Sequence, residues 1–125
     1  MATLVTNVGK GIVAQRMFGA TPSQAEPKYV HWGTGAGTTA ATDTTLFTAA
    51  AEARTAGTGS AVTTTNTNDT HQVTGTITSA SGQTITNAGV FDASTSGNLY
   101  VKGDFTGIAL STGDSIAFTF KVQFT

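Results

Sequence analysis

The side chains able to do acid–base, metal or phosphate chemistry are few and scattered in this 125-residue chain. Its two histidines, His31 and His71, would have to converge with carboxylates to hold a metal ion, and no pair shows ligand spacing. A nucleophilic triad assembles on paper from His71, an Asp and any of the many Ser residues, so that match carries no information. Asp43, Glu52, Asp69, Asp92, Asp104 and Asp114 fall among turns and strand edges, where carboxylates ordinarily cap backbone N–H groups. A glycosidase-like pair would need the fold to bring two of them together, and nothing marks such a pair. Gly33-Thr34-Gly35-Ala36-Gly37 resembles a phosphate cradle. Its third Gly comes one position early for the dinucleotide fingerprint, and no Gly-Lys followed by Ser or Thr completes a P-loop. It reads as a mobile connecting loop. Asn68-Asp69-Thr70 fits a glycosylation sequon by chance, since no secretory signal accompanies it. Trp32, Tyr29, Tyr100 and Phe47 could line a sugar groove, although aromatics of a β-sandwich more often fill its core. The expectation is no catalytic residue, no cofactor and no metal.

Bulk composition narrows the partners. Charged residues make up 10% of the chain and the net charge is −1, against about 25% charged in ordinary soluble domains. With no basic stripe there is nothing to displace counterions from phosphates, which argues against nucleic acid and against an anionic membrane surface. Cysteine is absent, so disulfides and thiolate sites are excluded and the redox compartment is unreadable. Lys10 and Arg16 interrupt the apolar positions of the N-terminus, so no signal peptide is visible. No stretch approaches the roughly 20 apolar residues of a membrane span. A soluble protein is expected, of a length that suits one domain.

The elements that must position these residues are mainly strands. From Asp114 onward Ile116, Phe118, Phe120, Val122 and Phe124 alternate with Ala117, Thr119, Lys121 and Gln123, the period of two of a half-buried strand. Leu99, Val101, Gly103 and Phe105 alternate with Tyr100, Lys102 and Asp104 in the same way. Between Gln83 and Phe91 the apolar positions shift from odd (Ile85) to even (Val90), which predicts a β-bulge or bend near Asn87-Ala88-Gly89. Thr70–Ser79 predicts a strand with Val73 and Ile77 inward. Further strands are expected at 60–65 and at 28–32, and an exposed hairpin tip at Asn66-Thr67-Asn68-Asp69. Asp92–Asn98 reads as a polar hairpin loop. Leu4, Val5, Val8, Ile12, Val13 and Met17 fall near helical spacing, so a short helix is predicted over 7–18, capped by Thr6 or Asn7. Thr21–Pro27 is a linker, and Asp43 caps one helical turn through Phe47. The predicted fold is an antiparallel β-sandwich, jelly-roll-like, over residues 26–125, preceded by an N-terminal arm or short helix over residues 1–25.

Three stretches carry a resemblance. They are Val5-Thr6-Asn7-Val8-Gly9-Lys10-Gly11-Ile12, Pro27-Lys28-Tyr29-Val30-His31-Trp32-Gly33-Thr34-Gly35, and Ile85-Thr86-Asn87-Ala88-Gly89-Val90-Phe91-Asp92. Together with Asp43-Thr44-Thr45-Leu46, Glu52-Ala53-Arg54, Asn68-Asp69-Thr70 and Leu110-Ser111-Thr112-Gly113-Asp114-Ser115-Ile116, their order resembles small virion proteins of tailed bacteriophages, both capsid decoration (cement) proteins and tail-fibre-like proteins. The resemblance implies a β-sandwich, homotrimeric or other symmetric assembly, and no catalytic residues. The expectation is a protein made in the host bacterial cytoplasm and carried on the exterior of the capsid. It would brace neighbouring copies of the major capsid protein; the alternative is a tail-fibre or adaptor protein that takes part in receptor binding. The candidate contact residues are Leu4, Val5, Val8, Ile12 and Met17 of the N-terminal segment and Gly33, Gly35 and Gly37 of the 33–42 loop. That segment either latches onto a capsid subunit or packs on its own sandwich.

Overall fold

The computed structural model describes residues 3–18 and 24–125. In chain order the elements are β1 (Thr3–Val5), α1 (Asn7–Arg16), β2 (Tyr29–Gly33), β3 (Thr55–Ala56), β4 (Thr58–Val62), β5 (Thr70–Thr78), β6 (Gln83–Phe91), β7 (Leu99–Leu110) and β8 (Ser115–Gln123). A larger sheet runs β1-β7-β6-β2-β3 and a smaller one β4-β5-β8. Every neighbouring pair is antiparallel, so the antiparallel sandwich is the observed architecture.

The phase shift in β6 is realised as a break in the β6–β7 register between Ile85 and Asn87. Across the break the single residue Thr86 of β6 faces residues 105–107 of β7, and Ile85, Ala88 and Val90 all join the core between the sheets, which an unbroken period of two forbids. A second break between Val90 and Phe91 leaves Tyr100 as an added residue in β7. Both Phe91 and Leu99 then point to the far face, where they meet Leu46. The larger sheet is therefore covered twice, by the smaller sheet on one face and by residues 34–54 on the other. Strict polar–apolar alternation fails where both faces are covered. Lys102, expected on the polar side of its strand, is 0% exposed.

Trp32, Val30, Val73, Ile77 and Val101 fill the space between the sheets, with Ile12 of α1. On one flank the chain passes directly from β3 in the larger sheet to β4 in the smaller one. It turns at Gly57, where a Cβ would come within 2.5 Å of the Thr74 carbonyl oxygen. On the other flank no strand among the described residues joins β8 to β1.

The helix begins one residue after Thr6, whose hydroxyl oxygen accepts the Gly9 N–H at 2.9 Å, as an N-cap should. The same hydroxyl donates to the Leu99 carbonyl at 2.6 Å. Gly9 lets the helix sit on β7, since a Cβ there would lie 2.1 Å from the Tyr100 carbonyl oxygen. The described part of the 1–25 segment is thus packed on the body: Thr3–Val5 pairs with Val101–Gly103 and Ile12 is 2% exposed. Residues 21–23 of the expected linker lie outside the described residues. One local expectation fails. No helical turn forms over 43–47, because the Asp43 carboxylate is drawn to Lys102 instead.

Candidate binding surfaces

Most of the acidic side chains singled out above are occupied in holding backbone in place. Asp43 Oδ2 accepts from Lys102 Nζ at 2.9 Å and from the Ala40 N–H at 3.1 Å. The ammonium also donates to the Thr45 carbonyl at 3.0 Å and lies 3.2 Å from the centre of the Phe47 ring. The Lys102 hydrogen bond holds the Asp43 carboxyl below its ordinary pKa. Burial pushes the Glu52 carboxyl up, but hydrogen bonds from Trp32 Nε1 (2.6 Å), Gln83 Nε2 (2.7 Å) and backbone groups outweigh it and hold the net value low. Asp69 accepts the N–H groups of Thr64, Thr65 and Asn66 and the Thr70 hydroxyl. This crown of donors, the Asn66 N–H first, depresses its pKa strongly and ties the predicted hairpin tip. Asp92 accepts from Asn98 at the N–H (2.7 Å) and at Nδ2 (3.0 Å). Arg54 donates to the Ala93 and Ser96 carbonyls of the same loop and stacks 3.6 Å over Phe91. Asp104 accepts the Thr39 N–H and Asp114 the Ser111 N–H. Among the described residues no group of three or more His and carboxylate side chains could hold a metal ion.

The histidines also have structural settings. His31 Nε2 lies 2.7 Å from the Glu52 carbonyl oxygen. His71, expected to be solvated beside a hairpin tip, is half-buried, with Nδ1 3.1 Å from the Tyr100 hydroxyl. Burial lowers its pKa; Glu26 opposes that shift and Arg16 adds to it. Burial pushes the Tyr100 phenol up to about 12. Both rings line a cleft of about 360 Å³ with Ile12, Arg16, Glu26 and Phe124. A neutral imidazole beside a neutral phenol gives this cleft a polar tip on apolar walls.

The candidate contact residues divide. Leu4 (38%), Val8 (39%) and Met17 (81%) are exposed, and Gly37 is exposed as well. Val5 is half-buried in β1, and Ile12 is committed to the core. Gly33 is buried and Gly35 half-buried, both lying against Phe47. Four of the eight, Val5, Ile12, Gly33 and Gly35, are thus taken up by internal packing.

Sequence reasoning missed a second surface. Phe118 and Phe120 of β8, Phe105 and Gly103 of β7 and Thr3 of β1 border a recess of about 170 Å³ beside the outer edge of β8. The inward side chains of β8 are only half-buried. An apolar row free of proline and inward charge was visible in the sequence. That β8 is an edge strand was not.

The family model for podophage GP4 fiber I protein gp80 matches residues 5–123, from β1 through the end of β8. The chain belongs to this family. It is a small structural protein of a tailed-phage virion, of fibre type, as the resemblance in its motifs implied. No curated protein and no solved structure matches the chain. As a member of the gp80 fibre family, the protein presents a sandwich whose polar groups serve its own loops, with a cleft at α1 and a recess at β8 among its concave surfaces.

Proposed function

We propose that the protein is a component of the podophage tail-fibre apparatus, carried on the outside of the virion and acting by docking, without catalysis. The observation that carries this reading is the match to the gp80 fibre family over residues 5–123, which spans the helix and both sheets. The use of carboxylates and histidines inside the fold supports it. Asp43, Glu52, Asp69 and Asp92 each accept hydrogen bonds from the protein's own groups, leaving little for chemistry on a substrate. The low charge and Thr-rich surface suit lateral protein contacts. On this reading the partners are further copies of the chain and a neighbouring tail protein, in place of the major capsid protein of the head-decoration reading. Fibre membership favours the tail.

Reconstruction of the virion by cryo-electron microscopy tests the assignment. The expected result is a small number of copies at the tail. Hundreds of copies in icosahedral array on the head would overturn it and restore the decoration reading.

A further inference from the structure

The two flanks of the sandwich are not equivalent. On one, residues 55–62 run from β3 into β4 and tie the sheets together. On the other, the outer edge of β8 has no strand beside it among the described residues. This edge is long: all nine residues of β8 pair with β5 in one unbroken register, Thr70↔Gln123 to Thr78↔Ser115. The remaining sheet edges are β1, β3 and β4, of three, two and five residues. Natural edge strands are blunted by brevity, proline, bulges or inward charge, because free N–H and C=O groups template the addition of another strand. β8 has no proline, bulge or inward charge, and Lys121, at an exposed outward position, is its one charged residue; its inward residues are Ile116, Phe118, Phe120 and Val122.

Ring contacts fix where β8 sits. Phe118 lies 6.2 Å from Trp32 of β2 and 6.5 Å from Phe105 of β7, so β8 crosses over β6, the strand between them. β7 and β1 therefore extend past β8 as a shelf. Ile12 of α1 packs in the same core cluster as Val101 and covers one end of that shelf. The other end is the recess of about 170 Å³, with Lys121 as its charged lining residue.

We propose that this recess is a docking slot for one extended segment of a neighbouring virion protein. The segment is added to β8 as a strand, with one large apolar side chain seated on Phe105 and a carboxylate facing Lys121. The volume is below the roughly 300–1,000 Å³ of small-molecule pockets and suits a single side chain. A second folded copy fits poorly. If it presented its own β8, its β7–β1 shelf would meet this one before the two edges came within the about 4.8 Å of paired strands. A lone strand has no shelf. Lys121 selects for an acidic residue at the rim, and main-chain pairing to β8 supplies the rest, as in other strand additions. The source of the segment rests on the fibre reading; the slot rests on the fold alone.

The test uses the whole chain, nitrogen-15 labelled, and a ten-residue synthetic peptide of alternating Thr and Leu with one central Asp. Amide hydrogen exchange is followed by NMR with the peptide at about 1 mM, the scale of weak single-strand binding. With a dissociation constant on that scale about half of the chain is occupied, so about twofold slowing of alternate β8 amides is expected. Protection should be weaker when Lys replaces the peptide's Asp, and Lys121→Glu should invert that preference. Unchanged β8 exchange, or slowing confined to β4, overturns the slot, and indifference to the peptide's charge overturns the role of Lys121. A peptide-free chain that sediments as a dimer with β8 already protected overturns the occupant in favour of a second copy. Each of these failures leaves the tail location, tested separately on the virion, untouched.

Discussion

The outer face of the larger sheet and the flank beside β8 meet the same problem, an apolar strand surface, and solve it in opposite ways. Over the outer face the chain lays its own residues 34–54. Leu46 covers Phe91 and Leu99, and Asp43 with Phe47 encloses Lys102. Beside β8 no strand is laid among the described residues, and Phe118 and Phe120 stay half-buried at a recess. The covered face is built from paired polar groups that cannot lose a member cheaply. The open flank is built from side chains whose neighbours are missing on one side. Stability is therefore concentrated under the loop, and tolerance to change along β8.

The sharpest way to break this contrast is to unpair the enclosed lysine. Asp43→Ala leaves an ammonium that is 0% exposed without its carboxylate, a loss on the order of 3 kcal/mol by urea denaturation. Lys102→Met should cost distinctly less, because it removes the buried charge along with the pair.

Alkaline titration probes the helix-covered end of the sandwich. The Tyr100 phenol is raised from 10.0 to about 12, so the folded state holds its proton where the unfolded chain releases it. Stability is full below pH 10 and falls as pH rises towards 12, at about 1.4 kcal/mol per unit at most. Tyr100→Phe should flatten this limb. On the acid side burial lowers the pKa of His71, and of His31, where the Glu52 carbonyl opposes the shift and Arg54 adds to it. Their contribution is complete above pH 6.5 and is lost as pH falls from there through the folded pKa values. Asp43 and Glu52, both held low, add their losses below their ordinary carboxylate range. Thermal denaturation across pH checks both limbs.

Glu52→Ala leaves the indole N–H of fully buried Trp32 without its acceptor. It should cost about 1.5 kcal/mol by chemical denaturation, with a shift in the Trp32 fluorescence. An effect under about 0.5 kcal/mol, the scale of featureless surface positions, would show that this end does not depend on the carboxylate. On the open flank Thr119→Lys, at an exposed outward position of β8, should change stability by no more than about 0.5 kcal/mol. A large loss there would erase the distinction between the two regions.

Much of the architecture was legible in local pattern. The period of two in β8, the phase shift in β6, the Thr6 cap and the tied loop at Asp92 each depend on residues close in sequence. Side-chain alternation and turn chemistry are local properties, so all four appear in the structure. The Asp43 turn failed because its carboxylate binds Lys102, a residue 59 positions away. The burial of Lys102 itself, and the packing of His71 on Tyr100, depend on which elements cover which face.

The sequence by itself determined an antiparallel β protein with a capped N-terminal helix, and its ordered motifs, now matched by the fibre family, determined its class. Only the tertiary structure decided that residues 34–54 cover one face of the larger sheet, that Ile12 belongs to the core, and that β8 is an edge. Alternation reports that a strand has one buried face, but not how many neighbours it has. Sheet order comes from long-range pairing, which no local window contains.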